Sequence, residues 1–431
     1  MLARILGVSA VRKRLLWTLL AVVLFRLGQN LPLPGVRGEA LVRATEAAEN
    51  AAAEGGGGGQ RLHGLVELFT GGGLGQLSVF TFGIVPVIAA RLVMEVVAPL
   101  VPRVRLLAAA GSEGAAVIAR WTRWLAVLLA AGLGVWVAAA VVDEGCVPLT
   151  GICASGSPGL LHDRADGPIV AVALVATMAA GTAVVLRLGG LITARGVGEG
   201  LSVLFLAQLV AVVPGQVASA VRETGGTRGL LVLLAVVLAL LVLTVVLVVV
   251  RQSERRIPVQ QARRMVGRST LGPAPTYVPV RGGQDGFVVM IPASLLLLVP
   301  APAGPWLLPL YVLVVFAHAW LRARVEPAAP DVADRLKRSG LFVPGVRTGP
   351  QTAQYIAYVQ SRIGLTAALA MAGAALVPVL ALTLLDGPAG RFALSATTLL
   401  IVASAAVKTA LPAVRQMESL AARQAYGPLL R

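Results

Sequence analysis

The run LLVLLAVVLALLVLTVVLVVV, Leu230–Val250, is followed without a break by RQSERRIPVQQARRMVGRS, Arg251–Ser269. The first part is apolar apart from Thr244. It is long enough to cross a bilayer as one helix, which takes ~20 residues. Lipid offers the backbone no hydrogen-bond partners, so a helix is the form open to such a run. The second part is dense in arginine and carries one acidic residue, Glu254. Basic residues beside a span stay on the cytoplasmic side. The stretch therefore reads as a membrane helix leading into an arginine-rich cytoplasmic segment.

The rest of the 431 residues repeats this pattern. The chain is 57% hydrophobic and 13% charged, against about 25% charged residues in a soluble domain. Ten spans are predicted, at roughly 15–34, 78–99, 121–142, 167–188, 197–214, 229–250, 286–303, 306–325, 363–385 and 393–413. The fifth is short and glycine-flanked, and PAPAGP (Pro300–Pro305) makes a hairpin between the seventh and eighth. The opening MLARILGVSAVRKRLLWTLLAVVLF has the basic-then-apolar order of a signal peptide. No small-residue cleavage site follows, so it reads as a retained first span.

With the N-terminus inside, segments 1–14, 100–123, 187–195, 251–285, 321–362 and 408–431 are cytoplasmic, and they hold 28 of the 37 lysines and arginines. The opposite side holds seven, while Arg26 and Arg91 fall inside spans. That asymmetry puts both termini in the cytoplasm. It also accounts for the net charge of +17 by topology and a cytoplasmic partner, without direct nucleic-acid binding.

Catalytic constellations are absent from the sequence. His63, His162 and His318 lie far apart, and His318, inside the eighth span, reads as a neutral histidine bonded within the bundle. The glycine runs TGGGLGQ (Thr70–Gln76) and GGLITARGVGEG (Gly189–Gly200) follow no strand and carry no Walker lysine. No cofactor is expected. Cys146 and Cys153 share an outer loop, DEGCVPLTGICASG, on the oxidising side. A disulfide is favoured there over two free thiols, and without histidine the pair makes a poor metal site. In EALVRATEAAENAAAEGGGGGQ (Glu39–Gln60) the Ala/Glu part suits a short helix, and glycines 55–59 read as a flexible linker.

Six motifs now add up. RRIPVQQARRMVGRS after an apolar span resembles the cytoplasmic loop between the sixth and seventh spans of the SecY family of protein-conducting channels. LFRLGQNLPLPGV is similar to that family's first span, and LFTGGGLGQLSVFTFGIVPVIAA to its plug and second span. GTAVVLRLGGLITARGVGEGLS resembles the join of the fourth and fifth spans. DVADRLKRSGLFVPGVRTGPQTAQYI resembles the loop between the eighth and ninth, and LLIVASAAVKTALPAVRQMES the tenth span. The motifs stand in the family's order.

The resemblance implies an all-α polytopic membrane protein of ten helices in two pseudo-symmetric halves of five, here 1–214 and 215–431. It implies an hourglass pore and a lateral gate between the second and third spans of one half and the seventh and eighth of the other. It also implies a pore ring of Ile84, Ile88, Leu201, Phe205, Ile291 and Ile401. Such a ring of apolar side chains stays dry when shut. The plug falls on residues 64–76, with Leu65, Phe69 and the hinge glycines Gly71, Gly72 and Gly73. Arg255, Arg256, Arg263, Arg264, Arg268 and Arg347 resemble the family's docking arginines for the SecA motor or the ribosome. Guanidinium groups suit both acidic patches and phosphates. The implied partners are SecE and SecG, SecA, the ribosome, secretory and membrane-protein clients, and lipid. The implied location is the plasma membrane.

The chain departs from the family pattern in AARLVMEVV, where the family has small or apolar residues and then glutamine, and at Glu199, where asparagine is usual. Arg91 and Glu95 share a helix face. Together with Glu199 they predict a polar cluster at the lateral gate, since ionisable groups are expensive in lipid. GQDGFVVMIP around Ile291 departs too. Two other readings stand beside the channel: a secondary transporter for a small solute, which would explain the intramembrane charges, and a specialised accessory paralogue of the channel.

Overall fold

The computed structural model describes residues 9–54, 64, 66–109, 112–148, 150, 152–153, 160–161, 168–261, 264–266, 269–271, 276–281, 307–325, 329–383 and 396–426. Its helices are α1 Ser9–Asn30, α2 Gly38–Glu54, α3 Val85–Leu100, α4 Pro102–Ala109, α5 Ser112–Ala139, α6 Pro168–Arg195, α7 Gly200–Thr224, α8 Gly226–Gln252, α9 Leu307–Val325, α10 Ala329–Arg338, α11 Pro350–Thr383 and α12 Ala396–Tyr426. The strands are short: β1 Cys146–Val147, β2 Ile152–Cys153, β3 Glu254–Gln261, β4 Arg264–Val266, β5 Ser269–Leu271, β6 Thr276–Arg281 and β7 Leu341–Phe342.

Among the described residues, six stretches are long and apolar enough to cross a membrane: Glu113–Val142, Ile169–Arg195, Gly200–Ser219, Gly229–Gln252, Pro350–Val377 and Thr398–Leu420. Val85–Met94 and Pro309–Leu321 are shorter apolar helices. Every predicted span has a helix under it except the seventh, 286–303, which lies outside the described residues.

Five helices, α5, α6, α7, α11 and α12, run seven or more residues past a predicted end. The fifth span, read as short, is α7, which passes through Pro214 and stops at Gly225, a residue with φ +61°. The ninth, read as starting at 363, is α11, which starts at Pro350. Its start is amphipathic: Ile356 and Val359 are buried in a core shared with residues of β3 and α10, and the polar residues around them interrupt the apolar run.

The chain divides into two compact units, Met1–Leu233 with Leu385–Thr398 and Lys408–Arg431, and Leu234–Leu384 with Leu399–Val407. In the first, α3 packs on α5, α5 on α6 and α6 on α1. Phe25 of α1 stacks on Phe80 with ring centroids 5.9 Å apart. The chain leaving α1, the helix α2 and the turns before α3 share a buried cluster that includes Leu33, Leu41, Leu77, Phe82 and Ile152. α2 is the Ala/Glu helix; glycines 55–59 lie outside the described residues. β1 pairs with β2, and Cys146 is bonded to Cys153 across that ladder.

In the second unit α9 lies along α11, and Gly364 lets the two helices close on Ala323. The segments 251–285 and 321–362, read from sequence as loops, contain a folded core. The strands run in the order β6-β3-β7, all antiparallel, with Arg255 opposite Val280 and Gln260 opposite Phe342. Ile257 and Val259 alternate inward along β3. They meet Ala333 and Leu336 of α10 and Ile356 of α11. Basic composition hid this two-residue period.

Candidate functional site

The glycine-rich segment before α3 is held against α7 by side-chain amides. Residues 66–70 are helical, and the backbone then turns at Gly71, whose φ is +71°. A side chain at 71 would run into the Gln29 amide. Gln208 of α7 is fully buried. Its Nε2 donates to the Leu68 carbonyl at 2.8 Å and the Phe69 carbonyl at 2.6 Å. These are carbonyls that a helix end leaves without partners. The Gln208 Oε1 accepts from Gln29 Nε2 at 3.4 Å, and the same nitrogen of Gln29 donates to the Thr70 carbonyl at 3.4 Å. Arg26 Nη1 donates to Gln29 Oε1 at 2.6 Å. Two turns further along α7, Gln216 Nε2 donates to the Gly64 carbonyl at 3.0 Å and to Glu67 Oε2 at 3.1 Å. The chain returning to α3 is just as close. At Gly83, φ +51°, an added Cβ would stand 2.7 Å from Gln208 Oε1.

Sequence reasoning missed these glutamines. Their signal was present, as amides in otherwise apolar spans, where they bond across helices.

The predicted ring and plug residues fall as follows. Ile84 and Phe205 are each 2% exposed, while Ile88 and Leu201 are half-buried. Phe69 of the predicted plug segment faces Phe205, with ring centroids 6.4 Å apart. Gly71 and Gly73 are buried and Gly72 is half-buried. Ile401 is buried on α12, in the second unit. Ile291 and Leu65 lie outside the described residues.

Glu199 stands in the turn between α6 and α7 rather than within a span, with extended backbone. Its Oε1 pairs with Arg91 Nη1 at 3.1 Å. Its Oε2 accepts from the Ser202 hydroxyl at 3.0 Å and lies 3.6 Å from Lys408 Nζ. Burial alone would raise the Glu199 carboxyl, but Lys408, Arg91 and Ser202 outweigh it and hold it below the usual glutamate range. Glu95 lies on α3, and its side chain is outside the described residues. Lys408 is the member that sequence reading missed, because it was counted with the cytoplasmic tail. Its signal was a lone cation in LLIVASAAVKTALP, and it is 8% exposed. Thr409 Oγ1 donates to the Ser202 carbonyl at 3.3 Å, and the Gly198 N–H to Gln416 Oε1 at 2.8 Å. These bonds fasten the lower part of α12 to the same turn.

Arg255 and Arg256 are exposed on β3. Arg256 lies 4.7 Å over the Tyr277 ring and 3.2 Å from Glu254. Arg347 is exposed in the turn after β7. Arg264 begins β4 with its side chain outside the described residues, as are Arg263 and Arg268 altogether. Among the described residues no group of three His, Cys, Asp or Glu is placed to hold a metal ion.

The family model for SecY matches residues 78–410. Among curated relatives, the protein translocase subunit SecY of Streptomyces scabiei is 32% identical, over 100% of this chain and 99% of its own. That of Streptomyces lividans is 34% identical over 97% of both chains, and that of Mycobacterium tuberculosis 30% over 97% of both. A solved structure described as a protein conducting channel superposes with a TM-score of 0.54, covering 95% of this chain and 93% of that one at 13% identity. A second, from a study of the SecY plug domain and the closed state, gives 0.54 over the same shares at 14%. At such identities these two speak for the fold alone. From the family model and the full-length relatives together, the chain belongs to the SecY family of protein translocase subunits: a channel-forming membrane protein and not an enzyme.

Proposed function

We propose that this chain is the pore-forming subunit of a Sec translocation channel in the plasma membrane. It passes unfolded polypeptides through a central constriction and releases apolar segments sideways into lipid. The observation that carries the reading is the fastening of the glycine-hinged segment to α7. Phe69 meets Phe205, and the Gln208 amide closes the Leu68 and Phe69 carbonyls beside them. A seal that can be unlatched needs such contacts: apolar ones to stay dry, and a few polar ones to return to a single register.

In this reading Ile84, Ile88, Leu201, Phe205, Ile291 and Ile401 form the ring, and 64–76 is the plug. The halves 1–214 and 215–431 open as a clamshell. Arg91, Glu95 and Glu199, with Lys408, hold the lateral gate shut. The arginines of the cytoplasmic segments, Arg255, Arg256, Arg263, Arg264, Arg268 and Arg347, dock SecA or the ribosome. SecE clamps the halves, SecG accompanies them, and both termini are cytoplasmic.

Ile401→Asn tests the ring. A polar group in a dry constriction favours wetting, so proteoliposomes bearing the variant should leak ions, and export of substrates with weak signal sequences should rise. Unchanged leak and export for Ile401→Asn, Ile84→Asn and Phe205→Asn alike would overturn the assignment.

A further inference from the structure

Two unfavourable features fall on consecutive residues where the 66–76 segment turns back toward α3. Leu77 is the only described residue other than glycine with a positive φ, +42°. A Cβ makes that left-handed region costly, and leucine has no polar group to offset it. Ser78 is fully buried, and its hydroxyl has no hydrogen-bond partner among the described residues. A buried polar group left unpaired is costly too. Both features belong to the docked chain. Once freed, Leu77 enters an ordinary backbone region and the Ser78 hydroxyl meets water.

Backbone bonds and an apolar cap hold the two residues in place. The Leu33 N–H donates to the Leu77 carbonyl at 2.8 Å, the Ser78 N–H to the Gly73 carbonyl at 3.0 Å and the Val79 N–H to the Leu31 carbonyl at 2.8 Å. Leu77 is 1% exposed, in one buried cluster with Leu33, Leu41 and, from the β1–β2 hairpin, Val147 and Ile152. α2 packs on β2. The Cys146–Cys153 disulfide closes the hairpin. Ile152 Cδ1 stands 3.5 Å from where a Cβ at Gly75 would lie. The hairpin is therefore in contact with the stretch that carries both unfavourable features.

We propose that Leu77 and Ser78 form a loaded hinge, which biases the 66–76 segment toward release, and that the disulfide-closed hairpin is the restraint that keeps it docked. The cap and the Gln208 bonds oppose the hinge. Docked and released states then lie closer in free energy than the contacts alone would set them, as suits a segment that opens and recloses. What the release gates rests on the channel reading. The hinge itself does not, because docking is measured without transport.

The test is amide hydrogen exchange by mass spectrometry on the full chain reconstituted in vesicles, read on peptides from 66–76 with α5 and α6 peptides as reference. Ser78→Ala removes the unpaired hydroxyl and should slow exchange about five-fold. At 77 glycine is compared with alanine, so that both variants have lost the leucine side chain. Leu77→Gly should exchange about five-fold more slowly than Leu77→Ala, because glycine takes a positive φ without steric cost. C146S/C153S should speed exchange in 66–76, by up to about thirty-fold, and not only in 145–153. A purely structural role predicts the opposite sign at the hinge. Ser78→Ala would then be neutral or faster, and glycine, the more flexible residue, would exchange faster than alanine. Either result overturns the loaded hinge. Unchanged exchange in 66–76 for C146S/C153S overturns the hairpin as its restraint. Ser78→Ala decides the hinge if the variants at 77 do not fold. Failure of the channel reading shows instead as unchanged ion leak in the ring variants, a separate measurement.

Discussion

Gln208→Leu removes the amide that closes the 66–76 segment while keeping a side chain of similar reach. Gln208 is fully buried and makes two bonds shorter than 3 Å to the Leu68 and Phe69 carbonyls, and a longer one to Gln29. A hydrogen bond of this kind contributes about 1 kcal/mol net, whether in a soluble core or within a membrane. Two such bonds give about 2 kcal/mol, and the stranded carbonyls push the figure upward, since a buried unpaired group costs about 1–3 kcal/mol. At 1.4 kcal/mol per decade, 2 kcal/mol raises the undocked fraction about thirty-fold.

The assay is amide hydrogen exchange by mass spectrometry on peptides covering 66–76, with peptides from α5 and α6 as internal reference. Exchange in 66–76 should speed up about thirty-fold while the reference peptides stay put. Gln208→Glu should act in the same direction, because a carboxylate cannot donate to a carbonyl. Gln216→Leu should have a smaller effect, because its bonds are longer, at 3.0 and 3.1 Å. If 66–76 exchanges at the parental rate in a correctly folded Gln208→Leu protein, the amides do not latch the segment and the reasoning fails.

At the charge cluster, Glu199 and Arg91 keep 40% and 44% of their side-chain surface exposed, so that pair is worth at most about 1 kcal/mol. Glu199→Gln should lower Tm more than Arg91→Gln or Lys408→Gln, since it alone loses two pairs, and the double-mutant cycles should show coupling at both. A charge swap of Arg91 with Glu199 should rescue only partly, because Lys408 would then face an arginine; full rescue would mean that Lys408 is not engaged. The folded carboxyl sits below its unfolded value of about 4.3, so its stabilisation is complete above that value and is lost as pH falls through the lowered folded one. The Tm gap between parent and Glu199→Gln should therefore hold steady from about pH 8 to about pH 5 and close only on further acidification. Cys146→Ser opens a short loop and should cost about 2 kcal/mol, read as faster exchange in 145–153. R255E/R256E should leave insertion intact and weaken binding to SecA or ribosomes, with a shallower salt dependence; unchanged affinity would leave these arginines a topological role only.

The apolar runs and the arginine asymmetry determine by themselves that the chain is a helical membrane protein, because lipid leaves a lone segment no other way to satisfy its backbone. Leu230–Val250 needs no neighbour to be read as a helix. Motif order was equally legible, since it is a property of the chain alone. What the sequence left open depends on which side chains meet across distance. Gln29, Gln208 and Gln216 are three unremarked amides until the fold brings them to the carbonyls of 64–70. Lys408 looks like the first residue of a basic tail until α12 carries it to Glu199, more than two hundred positions earlier. The pairing of β3 with β6 and β7 was hidden for the same reason: a strand gains its hydrogen bonds only from a partner, and β7 lies beyond a whole membrane helix. Arg91, Arg120, Arg123 and Arg187 come from three separate helices, and only the packing of α3, α5 and α6 brings them to the wall of one cavity. Local hydrophobicity fixes each helix where it stands, whereas polar contacts are made between elements, and tertiary structure alone decides those.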